Sequence, residues 1–287
     1  MLPVTCISQL SYHTNIETFP LGNDKHIILY DDHRCLLNIL FEAHKLGLFP
    51  KTPNLLYFDR HEDACGTPTS KGKLLAKFNV KQIIDISARD FWSFVEFDLS
   101  EIDDDWLLTG MELGLINDAV LIGQKENSNI SRMDNIYEDT DKGKHQIFSI
   151  RHLNDSLGCR GCLGDNVIKE SYYENVRNIL EYNQPPYGRH DKFSEELTRP
   201  IVLDFDLDCF TTECEEKRYA WPENIFKSMF YDNHTVNDFM QRMIERASFI
   251  TICREPDCCG GIGESNKILS YLDKYLFYGY LGTTPLQ

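Results

Sequence analysis

Asn54-Leu55-Leu56-Tyr57-Phe58-Asp59-Arg60-His61-Glu62-Asp63 begins as an apolar run and turns abruptly into acids around an imidazole. The apolar half reads as a short buried strand. The polar half, with Gly66 and Pro68 close behind, marks its end. Asp59, His61 and Asp63 therefore stand at a strand's C-terminal end, the edge where open α/β sheets bind ligands. A second stretch answers the first. In Pro200-Ile-Val-Leu-Asp204-Phe-Asp206-Leu-Asp208-Cys-Phe210, carboxylates recur at every second residue of an apolar strand, which puts them on one face. Carboxylates sharing a buried face repel one another and lose hydration, and a bound cation removes both costs.

Working outward, His26–Tyr30 reads as a strand followed by Asp31-Asp32-His33. Residues 34–48 read as a helix with Leu36, Leu37, Leu40, Ala43 and Leu46 on one face, closed by Gly47 and Pro50. This strand–helix–strand unit predicts a parallel pair. Further strands are expected at 119–123, 145–153 and 248–253. Helices are expected at 91–97, 101–116 (Ser100 as N-cap), 169–182, 222–230, 235–247 and about 264–278. Residues 1–25 read as irregular with a short strand near 3–10, and 81–86 as a weak strand. Residues 64–80, 124–144, 154–165 and 183–198 read as polar excursions. The Gly-Gly-x-Gly stretch at 260–263 lacks both the Rossmann pattern and the Walker lysine and reads as a strand-to-helix turn. The expected fold is α/β: three α/β/α layers around a mostly parallel central sheet, forming one domain over 1–287 with surface loop insertions.

Composition limits the partners. The chain has 287 residues, 42% of them hydrophobic, enough for a real core. The net charge of −16 makes nucleic acid a poor partner and a cationic substrate a better one. No basic segment with an apolar core opens the chain, and no run of about eighteen apolar residues occurs. The expectation is a cytoplasmic protein with no membrane partner, its ten cysteines free thiols. Cys159–Cys162 and Cys258–Cys259 could supply a zinc site in principle, but their spacing is unlike a ribbon or finger, so core and loop thiols are the plainer reading. The sequence leaves a homo-oligomer open.

Asp32-His33, Asp59/His61/Asp63, Asp206/Asp208 and Glu255 thus gather at four strand ends. Imidazole with several carboxylates and no thiolate suits hard or borderline ions such as Mn²⁺. Each part has a plain alternative: a strand-end histidine for His33, loop capping or a phosphotransferase magnesium site for the aspartate series, a salt bridge for Glu255.

Together these residues resemble the ureohydrolase superfamily of arginases, agmatinases and, more distantly, histone-deacetylase-like enzymes. Asp32-His33 matches the end of its Gly-Gly-Asp-His motif. Asp59-Arg60-His61-Glu62-Asp63 matches Asp-Ala-His-x-Asp except at Arg60. Asp204-Phe205-Asp206-Leu207-Asp208-Cys209 resembles Ser-Phe-Asp-x-Asp-Cys, with Thr211-Thr212 where the family has Asp-Pro. The histidine that arginases carry soon after the second motif is missing. With the Cys253-Arg254-Glu255-Pro256-Asp257 stretch, the chain is most similar to the peptide arginases of ribosomal (proteusin-type) peptide maturation. The resemblance implies an arginase/deacetylase-like fold and two Mn²⁺ ions, one on His33, Asp59, Asp63 and Asp206, the other on His61, Asp59, Asp206 and Asp208. It implies cleavage of arginine side chains in a precursor peptide to ornithine and urea. Glu255, with Asp204 and Arg60, would bind substrate; Asp63 or Asp208 would accept a proton; His152 or His145 would shuttle one. A small-molecule ureohydrolase is the runner-up. A deacetylase-like amidohydrolase needs neither His33 nor Asp63, and a non-catalytic peptide-binding module is the alternative from another class.

Overall fold

A computed structural model describes residues 16–22, 25–64, 68–99, 105–124, 135–153, 199–214 and 217–283. Ten strands lie among them: β1 (Glu17–Gly22), β2 (Lys25–Tyr30), β3 (Asn54–Asp59), β4 (Ala119–Gln124), β5 (Asn135–Glu138), β6 (Lys144–Leu153), β7 (Ile201–Asp206), β8 (Thr211–Cys214), β9 (Lys217–Ala220) and β10 (Ala247–Cys253). Eight form one sheet in the order β1-β2-β10-β7-β3-β4-β6-β5. The six inner strands are parallel, and β1 and β5 are antiparallel edges. β8 and β9 make a separate hairpin.

The helices are α1 (Cys35–Lys45), α2 (Lys71–Phe78), α3 (Ala88–Asp98), α4 (Trp106–Glu112), α5 (Glu223–Lys227), α6 (His234–Arg246), α7 (Pro256–Cys259) and α8 (Ile262–Tyr275). Strand alternation sorts the core into two layers. Ile27, Leu29, Leu203 and Phe205 pack with Phe226, Phe239, Met240 and Leu272 from α5, α6 and α8. Ile28, Tyr30, Leu55 and Tyr57 pack with Leu37, Phe41, Phe91 and Trp106 from α1, α3 and α4. Each fully buried side chain of this kind stabilises the fold by about 1.5–3 kcal/mol. The chain is therefore α/β, with helices on both faces of a mostly parallel sheet.

The topology fixes where a site can form. β3 leads to β4 on one side, whereas β7, its neighbour on the other side, leads away to β10. The connections diverge between β3 and β7, which makes the carboxyl ends of these strands a topological switch point, the place where open α/β sheets bind ligands.

Several expectations fail locally. Residues 17–22, expected to be irregular, form β1, because Phe19 and Leu21 pack against the core. The polar stretch 64–80 contains α2, whose Leu74 is buried. Residues 81–86 form no strand but a single 3₁₀ turn at Ile83–Asp85, closed by reciprocal Gln82–Asp85 capping. The 124–144 excursion carries β5, which extends the sheet against β6. The helix expected at 101–116 runs from Trp106 to Glu112 and gives way to a turn at Leu113, while 101–104 lie outside the described residues. The expected N-cap Ser100, strand 3–10, helix 169–182 and Cys159–Cys162 lie outside the described residues.

Candidate metal centre

β2, β3, β7 and β10 deliver their ends to the switch point. Asp59 is the last residue of β3 and Asp206 the last of β7. His33 lies in the turn between β2 and α1, and Glu255 follows β10. Asp208 is not the third member of a strand face, as its spacing suggests. The chain winds into a 3₁₀ turn, Leu207–Phe210, capped by Asp206 accepting from the Asp208 N–H at 3.1 Å. The turn still brings Asp208 to the cluster.

His33 is the centre of the inner group and is fully buried. Its Nε2 faces Asp204 Oδ2 at 2.8 Å. A carboxylate there only accepts, so Nε2 carries a proton and donates. Its Nδ1 stands 3.2 Å from Asp59 Oδ2, 3.0 Å from Asp63 Oδ2 and 3.2 Å from Asp206 Oδ2. That Nδ1 and Asp59 Oδ2 are buried without a hydrogen bond. Beside this group Asp59, His61 and Asp208 form a second one, so Asp59 belongs to both. His61 Nδ1 is 3.2 Å from Asp208 Oδ2, and its side chain is 39% exposed, so the outer group opens to solvent. Asp208 Oδ1 accepts the Arg60 N–H at 3.2 Å, while Oδ2 is another buried atom without a hydrogen bond. Orphaned donor atoms converging from His and Asp fit divalent cations, because a cation satisfies every one of them at once.

Neighbouring residues hold these ligands still. Asp204 lies too deep to touch substrate, contrary to the expectation. It is 0% exposed, and its oxygens accept from Tyr30 (2.9 Å), Thr251 and His33. Asp63 sits in a left-handed conformation (φ 51°). Its Oδ2 accepts the Trp106 indole N–H at 2.7 Å, and its carbonyl accepts the Leu107 N–H at 3.2 Å, so the start of α4 fixes it. The Trp106 ring lies 4.6 Å from the His33 ring. Gly123 pairs with Asp59 across β4, where a Cβ would come within 3.1 Å of the Asp59 carbonyl. Trp106→Phe keeps an aromatic ring and removes the donor. It should weaken the inner cation about tenfold, as read by competition with a chelating dye, and also lower fold stability, because a fully buried indole shrinks to a phenyl.

The electrostatics follow from crowding. Burial and the neighbouring Asp63 and Asp206 push the Asp59 carboxyl well above its usual range. Burial and Asp208 take Asp206 to about 7. Burial and Asp206 take Glu255 to about 9. Burial alone would lower His33, but Tyr30 and Asp204 outweigh it and the net shift is upward. Asp63 goes the other way: burial would raise it, yet the adjacent His33 imidazole and the Trp106 N–H bring it down. All the raised groups keep protons in the folded state that the unfolded chain has already shed. The cation-free protein therefore loses stability as pH rises from the ordinary carboxylate range through about 7 and on toward 9. A cation replaces those protons. The rise in Tm on adding divalent cation should grow between about pH 6 and pH 9; a pH-independent rise would contradict this picture.

The remaining expected residues fall as follows. Glu255 joins His33 and Asp206 in one group and Asp208 and Cys258 in another, at a left-handed backbone position (φ 32°). Arg60 lies beside the site, its guanidinium 3.5 Å from Glu213 Oε2 on β8. His145 is no shuttle: it starts β6 at the far end of the sheet, bound to the Asn117 carbonyl and to Asp139. His152 belongs to β6, with no description of its side chain. Among the described residues Cys35, Cys209, Cys253, Cys258 and Cys259 are not joined in disulfides. Tyr30, Trp106, Thr251 and Arg218 were not anticipated. Only Thr251 left a trace, a hydroxyl within the apolar run 249–252, and it pairs with Asp204 across β10.

No protein-family model matches the chain, and no curated protein does. One similar solved structure is a Helicobacter pylori arginase. It is 15% identical over 97% of this chain and 77% of that one, with a TM-score of 0.41. The cation fit above stands on the residues alone. Among the described residues, no helix is long and apolar enough to cross a membrane.

Proposed function

We propose that the chain is a binuclear manganese hydrolase that cleaves the guanidinium of arginine residues in a peptide, giving ornithine and urea. The observation that carries the metal reading is His33. Its Nε2 is committed to Asp204, and its Nδ1 is aimed at three carboxylate oxygens beside a second group that shares Asp59. His33, Asp59, Asp63 and Asp206 would hold one ion, and His61, Asp59, Asp206 and Asp208 the other. The all-oxygen and imidazole donor set favours Mn²⁺ over thiophilic metals. When bound, such a pair supplies a water of lowered pKa as nucleophile.

The chain's own residues supply the rest. Glu255 stands against both groups and can meet a guanidinium with a charge-assisted hydrogen bond. Of the two expected proton acceptors, Asp208 is the better placed, because Oδ2 of Asp63 already takes the Trp106 N–H whereas Oδ2 of Asp208 accepts no hydrogen bond. The net charge of −16 draws a cationic peptide, and the exposed His61 places the outer group within reach of one.

Mass spectrometry of short arginine-containing peptides incubated with Mn²⁺-loaded protein tests the reading. Each converted arginine loses CH₂N₂ and one urea appears. Urea from free arginine, agmatine or guanidinobutyrate, with the peptides untouched, would replace the peptide reading with the small-molecule one. No urea from any of them, with metal bound, would refute guanidine hydrolysis.

A further inference from the structure

The two cation groups differ in what surrounds them, and the difference comes from the β8–β9 hairpin. Arg218 on β9 places Nη1 3.8 Å from Asp208 Oδ2, the oxygen that also faces His61. The same Nη1 donates to the Cys258 carbonyl at 2.8 Å, so the guanidinium is braced. The hairpin itself is clamped in place. The Ala220 N–H donates to Glu264 at 2.8 Å, and Glu213 pairs with Arg60. A Cβ on Gly260 would lie 2.1 Å from the Arg218 carbonyl, and Gly260 adopts φ 91°. Only glycine lets β9 approach the turn after α7 this closely. Arg218 is thus a fixed positive charge stationed at the outer group. In the inner group, among the described residues, the acids around His33 answer to its imidazole and to the Trp106 N–H.

We infer that Arg218 sets an unequal pair: it weakens the outer cation, so the inner position fills first and the outer ion enters and leaves with the free metal concentration. This rests on the binuclear reading. The physical cause is direct. An ion at Asp208 must share that carboxylate with a guanidinium and face its charge at close range, while its own position is half open to water. The inner ion meets the buried donors of His33, Asp59, Asp63 and Asp206. Activity requiring both ions would then be governed by outer-site loading, with Arg218 as a positioning residue for the metal rather than a catalytic residue.

Mn²⁺ titration of the full chain, read by calorimetry and by electron paramagnetic resonance, tests this without recourse to activity. The native protein is expected to bind in two steps about tenfold or more apart, with an isolated Mn²⁺ signal at the first step and a spin-coupled pair only at the second. Arg218→Met should draw the second step toward the first and leave the first unmoved. Arg218→Lys, which keeps the charge, should preserve the gap. Two ions entering the native protein together would overturn the inference. So would an Arg218→Met protein whose second step stays put or weakens. Absence of Mn²⁺ binding at either position would refute the metal reading itself, a different result from equal binding. The native titration stands even if the Met variant fails to fold.

Discussion

Asp59→Asn should make the cation-free protein more stable while abolishing its response to divalent cations. Asp59 is fully buried and belongs to both cation groups. Its Oδ1 accepts the His61 N–H at 2.6 Å, which an asparagine oxygen still does. Its Oδ2 is orphaned 3.2 Å from His33 Nδ1 among Asp63 and Asp206. An amide there is neutral at every pH, so the folded chain no longer bears the cost of taking up a proton or burying a charge at this crowded position. Relief of an uncompensated buried charge is worth about 1–4 kcal/mol, and each kcal/mol moves Tm by about 2–4 °C in a chain of this size. The loaded state loses the ligand common to both ions, so hydrolysis should fall by about a thousandfold or more. Differential scanning calorimetry with and without Mn²⁺ checks both halves. A variant less stable than the native protein in the absence of metal would show that the carboxylates are not in conflict.

Asp204→Asn should act from behind the site. In the native protein Asp204 accepts from Tyr30, Thr251 and His33, which keeps a proton on Nε2 and leaves Nδ1 as the nitrogen that a cation would take. Asparagine can keep its oxygen toward Tyr30 and Thr251, but then presents an N–H to His33 Nε2. The imidazole must turn acceptor on that side and carry its proton on Nδ1, where the inner cation belongs. The expected result is a 10–100-fold loss of affinity for the inner ion, roughly the effect seen when the partner of a metal-binding histidine is changed. The fold should be retained. Chelator competition gives the affinity, and the histidine nitrogen shifts in NMR give the tautomer. Native affinity in Asp204→Asn would remove Asp204 from the metal's support.

The strand-end placement of the candidate ligands was legible in the sequence because strand chemistry is periodic. An apolar run ending in Asp-x-His-x-Asp specifies a buried strand and the edge at which it stops, and the structure puts Asp59 at that stop. The same periodicity misled at Asp208, because a strand that ends early into a 3₁₀ turn keeps the acid near the site by another route. The role of Asp204 was misjudged for a related reason. Alternation gives the face of a residue but not its depth, and Tyr30 and Thr251 seal that depth from 174 and 47 residues away. The hairpin that carries Arg218 left little trace, since Thr211–Cys214 and Lys217–Ala220 alternate too briefly to separate from loop. Trp106 read as an ordinary helix residue; that its indole meets Asp63 is tertiary information.

The strand order also determines when the chain becomes competent for metal. β10 lies between β2 and β7, pairing Ile250 with Ile27 on one side and with Leu203 on the other. His33 follows β2 and Asp206 ends β7, so these two ligands come into register only after the last strand has inserted between their supports. Asp59 and Asp206 are brought together by the direct pairing of β3 with β7, but His33 joins them only when β10 is in place. Contacts so distant in sequence form late in folding. A cation that needs both His33 and Asp206 could therefore be captured only once the sheet is whole.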